Sequence, residues 1–107
     1  MIKNLAQLKR RFSAGTEFKI VGHCRPEAVG ERRRVTAANT QGFYSIIPDD
    51  LDAKTSKANG GRGAVLWWSK APFWSFENGV CAIYDSDREH TGEHLIMAFQ
   101  VDEEGDL

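Results

Sequence analysis

The pattern with the most overt chemistry is His90-Thr91-Gly92-Glu93-His94, an H-x-x-E-H match. On a helix this spacing sets two imidazoles on one face with a carboxylate beside a metal-bound water, the arrangement of the inverted zinc peptidases. The surroundings do not supply that helix. The five residues lie in the polar connection "DSDREHTGE", Gly92 interrupts them, and a β-rich run begins at Leu95. A structural zinc set drawn from His23, Cys24, His90 and His94 lacks the paired cysteines that such sites use. Asp49, Asp50 and Asp52 cluster without the spacing of a calcium loop. Gly60-Gly61-Arg62-Gly63 lacks the spacing of a phosphate loop. No Ser/His/Asp set assembles. The sequence therefore predicts a non-enzymatic protein with no catalytic residue, no metal ligand and no cofactor.

Binding chemistry is better represented. Arg32, Arg33 and Arg34 lie on a β-rich run, where successive side chains alternate between faces. Arg32 and Arg34 share one face, and a hairpin register that opposes Ala38 and Phe43 adds Thr36, Phe43 and Ser45 to it. Charge mixed with aromatic and hydroxyl groups is what single-stranded nucleic-acid surfaces use. Lys9, Arg10 and Arg11 extend the patch if the first helix packs nearby. The competing reading is an edge strand guarded by charge. The second candidate is "WWSKAPFWSF" (67–76), which holds all three tryptophans. Trp67 and Trp68 are adjacent on a strand and must point to opposite faces, so one fills the core. The other either covers the first helix or stands exposed beside Lys70 as a binding anchor.

These residues need a scaffold. At 107 residues with 41% hydrophobic and 27% charged composition, the chain is one ordinary globular domain. No apolar run approaches the roughly 18 residues that span a membrane, and the N-terminus has no secretory apolar region. The expectation is a cytoplasmic protein with no membrane partner. Cys24 and Cys81 are expected to be buried thiols, with a disulfide between them left open. Residues 1–54 carry ten Lys/Arg against six Asp/Glu, and residues 55–107 carry four against nine. That asymmetry either marks a basic face for an anionic partner or reflects opposite charges on two sides of one fold.

The chain opens on a helix. Asn4 can cap it with Gln7 at the third helical position, and Leu5, Leu8 and Phe12 share a face. Lys9, Arg10 and Arg11 suit its last turn, and Gly15 is a plausible stop. β-rich runs follow at 17–24, 32–38, 43–47, 64–69, 73–76, 80–84 and 94–101. "NTQG" and "ENG" read as hairpin connections, and Asn78-Gly79 is a strong type I′ signal. That turn pairs Phe76 with Cys81 and Trp74 with Ile83, placing these four on one face. In the 32–38/43–47 hairpin, Val35, Ala37, Tyr44 and Ile46 form the expected inner face. The polar segment 48–63 is expected to be a mobile loop, and the acidic tail 102–107 to be frayed. The sum is an α+β fold with one N-terminal helix and a five- to six-stranded antiparallel meander. It takes the form of a strongly bent sheet or a small SH3-like barrel, with an open sheet carrying the helix across one face as the alternative.

"GERRRVTAANTQGFYSI", "VLWWSKAPFWSF" and "VCAIYD" together resemble small uncharacterised proteins of phages and mobile elements in Gram-positive bacteria. What is similar is the order of features over residues 4–85. A leucine-bearing helix precedes an Arg-Val-Thr strand and an aromatic strand, and a Trp-x-Lys-Ala segment precedes a hairpin ending in Ile-Tyr. The resemblance brings no activity and leaves out the H-x-x-E-H match. It implies a mobile-element setting, where small non-enzymatic proteins bind host proteins or nucleic acid and some inhibit host defence nucleases. The leading expectation is a protein-interaction module, an inhibitor or accessory factor, whose partner is a host or element-encoded protein. Nucleic-acid binding is the alternative. Candidate binding residues are Arg32, Arg34, Phe43, Trp67, Trp68 and Lys70.

Overall fold

The computed structural model describes residues 1–102. Helix α1 (Leu5–Arg11) starts as its sequence dictates. The Asn4 side chain accepts from the Gln7 amide at 2.8 Å, and the Gln7 side chain returns to the Lys3 amide at 2.8 Å. One amide that the first helical turn leaves unpaired, that of Gln7, and the Lys3 amide just before the cap are thereby satisfied. The helix closes at Phe12, before Gly15. At Gly15 a positive φ of 98° turns the chain so that its amide reaches the Val35 carbonyl at 2.8 Å.

Among the described residues, seven strands form one antiparallel sheet: β1 (Glu17–His23), β2 (Arg32–Ala38), β3 (Gly42–Ile46), β4 (Ala64–Trp67), β5 (Trp74–Glu77), β6 (Val80–Tyr84) and β7 (Leu95–Val101). Their spatial order is β4-β3-β2-β1-β7-β6-β5. Two meanders, β1 to β4 and β5 to β7, are joined through the β1–β7 pair. The fold is α+β, with seven strands where five or six were expected. The sheet is open: β4 and β5 are its two edges, so the small barrel does not form.

The sheet is nonetheless forced to bend. Six strand spacings of about 4.8 Å would put the edges of a flat sheet about 29 Å apart. The chain from Trp67 to Trp74 spans at most about 25 Å even when fully extended. It is not extended, because Ala71–Phe73 forms a turn of 3-10 helix. The two edges must therefore curl toward each other. Trp68 and Trp74 meet between them, with ring centroids 6.4 Å apart.

The concave side is filled by aromatic rings. Phe12, at the C-terminal cap of α1, contacts Phe18, Phe43, Trp68 and Phe99 at centroid distances of 5.4, 4.7, 6.1 and 5.5 Å. Leu5, Leu8, Ile20, Val35, Ile83 and Met97 complete the core with Trp74 and Cys81. Burying each large apolar side chain contributes about 1.5–3 kcal/mol, which lets a seven-residue helix form that would not persist alone.

The β5–β6 hairpin has the expected register, with Trp74 opposite Ile83 and Phe76 opposite Cys81. Asn78 and Gly79 take φ of 55° and 78°, as a type I′ turn requires. The β2–β3 hairpin departs from expectation at one residue. Thr36 is bulged out between the pairs Val35–Ser45 and Ala37–Tyr44. An extra residue inverts every side chain beyond it. Val35 therefore shares the inner face with Phe43 and Ser45, while Ala37, Tyr44 and Ile46 do not join it.

Segment 48–63, expected to be a mobile loop, carries local structure of its own and forms a strap. It contains a helical turn, α2 (Lys54–Lys57), and a 3-10 turn at Asn59–Gly61. The buried Ser56 hydroxyl accepts from the Ile47 amide at 2.9 Å. The Arg62 carbonyl accepts from the Thr36 hydroxyl at 2.6 Å, and the Arg62 guanidinium lies 4.9 Å from the Tyr44 ring centre. Polar residues thus supply the hydrogen bonds that hold the strap, where an apolar count alone indicates disorder. Cys81 is buried, Cys24 is exposed, and no disulfide joins them. Of the expected frayed tail, Asp102 is held by its amide against the Glu17 carbonyl at 3.0 Å. Residues 103–107 lie outside the described residues. Among the described residues, no helix is long and apolar enough to cross a membrane.

Candidate binding surfaces and the His94 cluster

Trp68 and Trp67 part at the end of β4. Trp68 is 2% exposed. Its amide donates to the Gln41 carbonyl at 2.9 Å, and its indole N–H to the Asn39 carbonyl at 2.8 Å. Its own carbonyl accepts the Trp74 indole N–H at 2.7 Å. Both backbone and ring are committed to the interior. Trp67 points the other way and is 52% exposed. It lies opposite Gly42, where a Cβ would sit 2.4 Å from the Leu66 carbonyl oxygen, so only glycine permits this approach of β3 to β4. After Trp68 the chain turns at Ser69, whose φ of 54° is left-handed. Lys70 follows and is exposed. The surface feature is therefore Trp67 on an edge strand, with Lys70 three residues along the chain.

Phe43 belongs to the core, at 1% exposure. Its expected place beside Arg32 and Arg34 is corrected by the Thr36 bulge. Arg32 and Arg34 do share an exposed face, and the buried member of the triplet is Arg33. Arg33 donates to the Glu31 carboxylate from Nε at 3.1 Å and from its terminal nitrogen at 2.7 Å, which neutralises its charge where solvent cannot.

The outer arginines are not bare. Arg34 donates from two nitrogens to Glu17 Oε2, at 3.1 and 2.9 Å. Arg32 pairs with Asp102 and lies 3.5 Å from Glu17 Oε1. Arg11 donates to the Asp102 carbonyl. The Arg34 hydrogen bond, aided by the positive charges of Arg34 and Arg32, holds the Glu17 carboxyl below its usual range. The Asp102 hydrogen bond raises the Arg32 guanidinium. The expected basic face is a ladder of alternating charge across the ends of β1, β2 and β7.

The H-x-x-E-H residues do not converge as two imidazoles. His90 stacks on Tyr84, with centroids 4.5 Å apart and planes at 7°, and donates from Nε2 to the Pro72 carbonyl at 2.9 Å. His94 turns elsewhere, between Asp85 and Glu89. Its Nδ1 is 2.7 Å from Asp85 Oδ1, and its Nε2 is 2.9 Å from Glu89 Oε2 and 3.6 Å from Glu93 Oε1. The Asp85 hydrogen bond, with the negative charges of Asp85 and Glu89, raises the His94 pKa above its usual value. His23 and Cys24 sit together at the end of β1, with Cys24 Sγ 3.6 Å from His23 Nδ1. The four-residue zinc set weighed from sequence is thus divided among separate environments.

Asp85 and Glu89 had no signal in the linear pattern. They precede His94 by nine and five residues, and only the turn of the 86–93 loop brings them to the ring. Arg33–Glu31 was equally hidden, although a buried position on the alternating β2 strand was the available clue.

No family model matches the chain, and no curated protein and no solved structure matches it.

Proposed function

We propose that this protein is a non-catalytic protein-interaction module that presents Trp67 at the open edge of its sheet. The observation that carries this reading is the half-exposed Trp67 on β4, a strand with one neighbour in the sheet. An edge strand offers backbone donors and acceptors to an added strand, and a large aromatic beside it supplies the apolar anchor. Lys70 adds a charge for an acidic group on the partner. The resemblance of residues 4–85 to small phage and mobile-element proteins suggests a host or element-encoded protein as that partner, a host defence nuclease among them.

Nucleic-acid binding is the second reading, supported by the exposure of Arg32 and Arg34, 44% and 45% at their side chains. It is weaker because each guanidinium already faces Glu17 or Asp102, so a phosphate has to displace a carboxylate. The aromatic ring placed with them from sequence, Phe43, is in the core.

Affinity capture from a host lysate, run in parallel with wild-type protein and W67A, tests the choice. The leading reading expects a protein enriched by the wild type and lost with W67A. It is overturned by tight, steeply salt-dependent binding of single-stranded nucleic acid that R32A/R34A removes and W67A leaves intact.

A further inference from the structure

The His94 cluster does something that neither the H-x-x-E-H pattern nor the interaction reading uses. The ladder between β6 and β7 ends at the pair Tyr84–Leu95. One more bond, from the Asp85 amide to the His94 carbonyl at 2.8 Å, sets these two residues face to face where the strands separate. Asp85 Oδ1 then fixes Nδ1 of the imidazole, which turns Nε2 toward Glu89 and Glu93. A carboxylate on the far nitrogen of a histidine is the usual support of a metal-ligating imidazole, because it fixes the tautomer and aims the free lone pair.

We propose that Glu89, Glu93 and His94 form a binding site for one divalent transition cation of the zinc class, with His94 ligating through Nε2 and Asp85 orienting the ring. Among the described residues, these three have ligand atoms that all lie within 4.8 Å of one another. Two ligands each about 2.0–2.1 Å from a tetrahedral zinc are about 3.3 Å apart. The observed Nε2 separations of 2.9 and 3.6 Å bracket that value. The two glutamates are exposed, so their carboxylates are free to adjust toward ligating distance.

The charge balance favours the same occupant. Asp85, Glu89 and Glu93 surround one imidazole, so a proton on His94 leaves a net charge of about −2. A divalent cation on the neutral ring leaves about −1. An imidazole with two carboxylates suits zinc-class ions, whereas calcium and magnesium select sites built from oxygen alone. The fourth position opens to solvent and takes water. His90 is no ligand, because Tyr84 and Pro72 hold it away.

The test is calorimetric titration of zinc chloride into the intact chain. One saturable equivalent is expected. E89Q and E93Q should each weaken binding about 10-fold or more, H94Q should abolish it, and D85N should weaken it about 10- to 100-fold. H90A should leave it unchanged. Imidazole nitrogen spectra of the wild type supply a readout independent of variant folding, with zinc shifting Nε2 of His94 and leaving His90 in place. No saturable binding at millimolar zinc overturns the site and reduces the cluster to a proton-held clasp. Loss with H90A equal to that with H94Q overturns this ligand set. Displacement of zinc by an equal concentration of calcium reduces it to a diffuse acidic patch.

Discussion

The Trp74 indole N–H donates to the Trp68 backbone carbonyl at 2.7 Å, tying one edge of the sheet to the end of the other. The bond spans the connection that forces the sheet to bend, and it is buried. Trp74→Phe keeps an aromatic ring but removes the donor and part of the volume. The stranded carbonyl costs about 1–3 kcal/mol, and the void adds to it. Urea denaturation should show W74F destabilised by about 2–4 kcal/mol. By contrast W67A, which trims a half-exposed side chain, should cost under about 1 kcal/mol. Equal losses in the two variants would contradict the assignment of Trp67 to the surface.

Gly63 and Gly15 separate backbone strain from collision. Their φ values are nearly equal, 96° and 98°. A Cβ on Gly63 would lie 1.8 Å from the Ser45 carbonyl oxygen, whereas one on Gly15 meets nothing within 4 Å. Gly15→Ala should cost about 1–2 kcal/mol from conformation alone. Gly63→Ala should cost about 4 kcal/mol or more, because the chain entering β4 must move off β3. Similar denaturation midpoints for the two variants would show that the strap is not seated against Ser45 as described.

The same strap can be probed from its other end. Ser56→Ala removes the acceptor of the Ile47 amide and leaves that donor buried, at a cost of about 1–3 kcal/mol. Amide hydrogen exchange at Ile47 should be slow in the wild type and accelerate in S56A. Fast exchange at Ile47 in the wild type would restore the mobile loop expected from composition.

Stability should fall below neutral pH through His23. Burial lowers its pKa from the ordinary 6.5, and the positive charges of Arg25 and Arg33 add to the effect. Nδ1 also accepts from the Arg25 amide at 2.9 Å, a bond that protonation there breaks. Below pH 6.5 the unfolded chain takes a proton that the folded chain refuses, so the His23 contribution is level above 6.5 and declines from there toward the folded pKa. His23→Asn retains an acceptor and removes the titration. The wild-type minus H23N difference in unfolding free energy should be flat above about pH 7 and fall below 6.5. Glu17, lowered in the same sense from 4.5, titrates in both proteins and cancels. A flat difference from pH 7 to 5 would remove His23 as the cause.

The sequence by itself determined what depends on neighbours along the chain. Asn4 caps α1 because a helix start leaves its first amides without acceptors, and Gln7 closes back on the Lys3 amide before the cap. Asn78-Gly79 sets the β5–β6 register because both residues tolerate positive φ. The adjacency of Trp67 and Trp68 required that they part, and Arg32 and Arg34 had to share a face. Which face is inward was decided elsewhere. One bulged residue, Thr36, moved Phe43 from an expected binding face into the core, and no local pattern in the sequence marks that bulge. Trp68 turned inward because Asn39 and Gln41 of the β2–β3 connection and Trp74 of β5 satisfy its polar groups. Glu17 and Asp102 neutralise the arginines only because β1 lies between β2 and β7, and Asp85 and Glu89 reach His94 only through the loop that closes β6 on β7. Local rules act over a few residues of one strand or turn, whereas burial, charge pairing and ligand geometry depend on which distant segments the folded chain brings within a few ångströms.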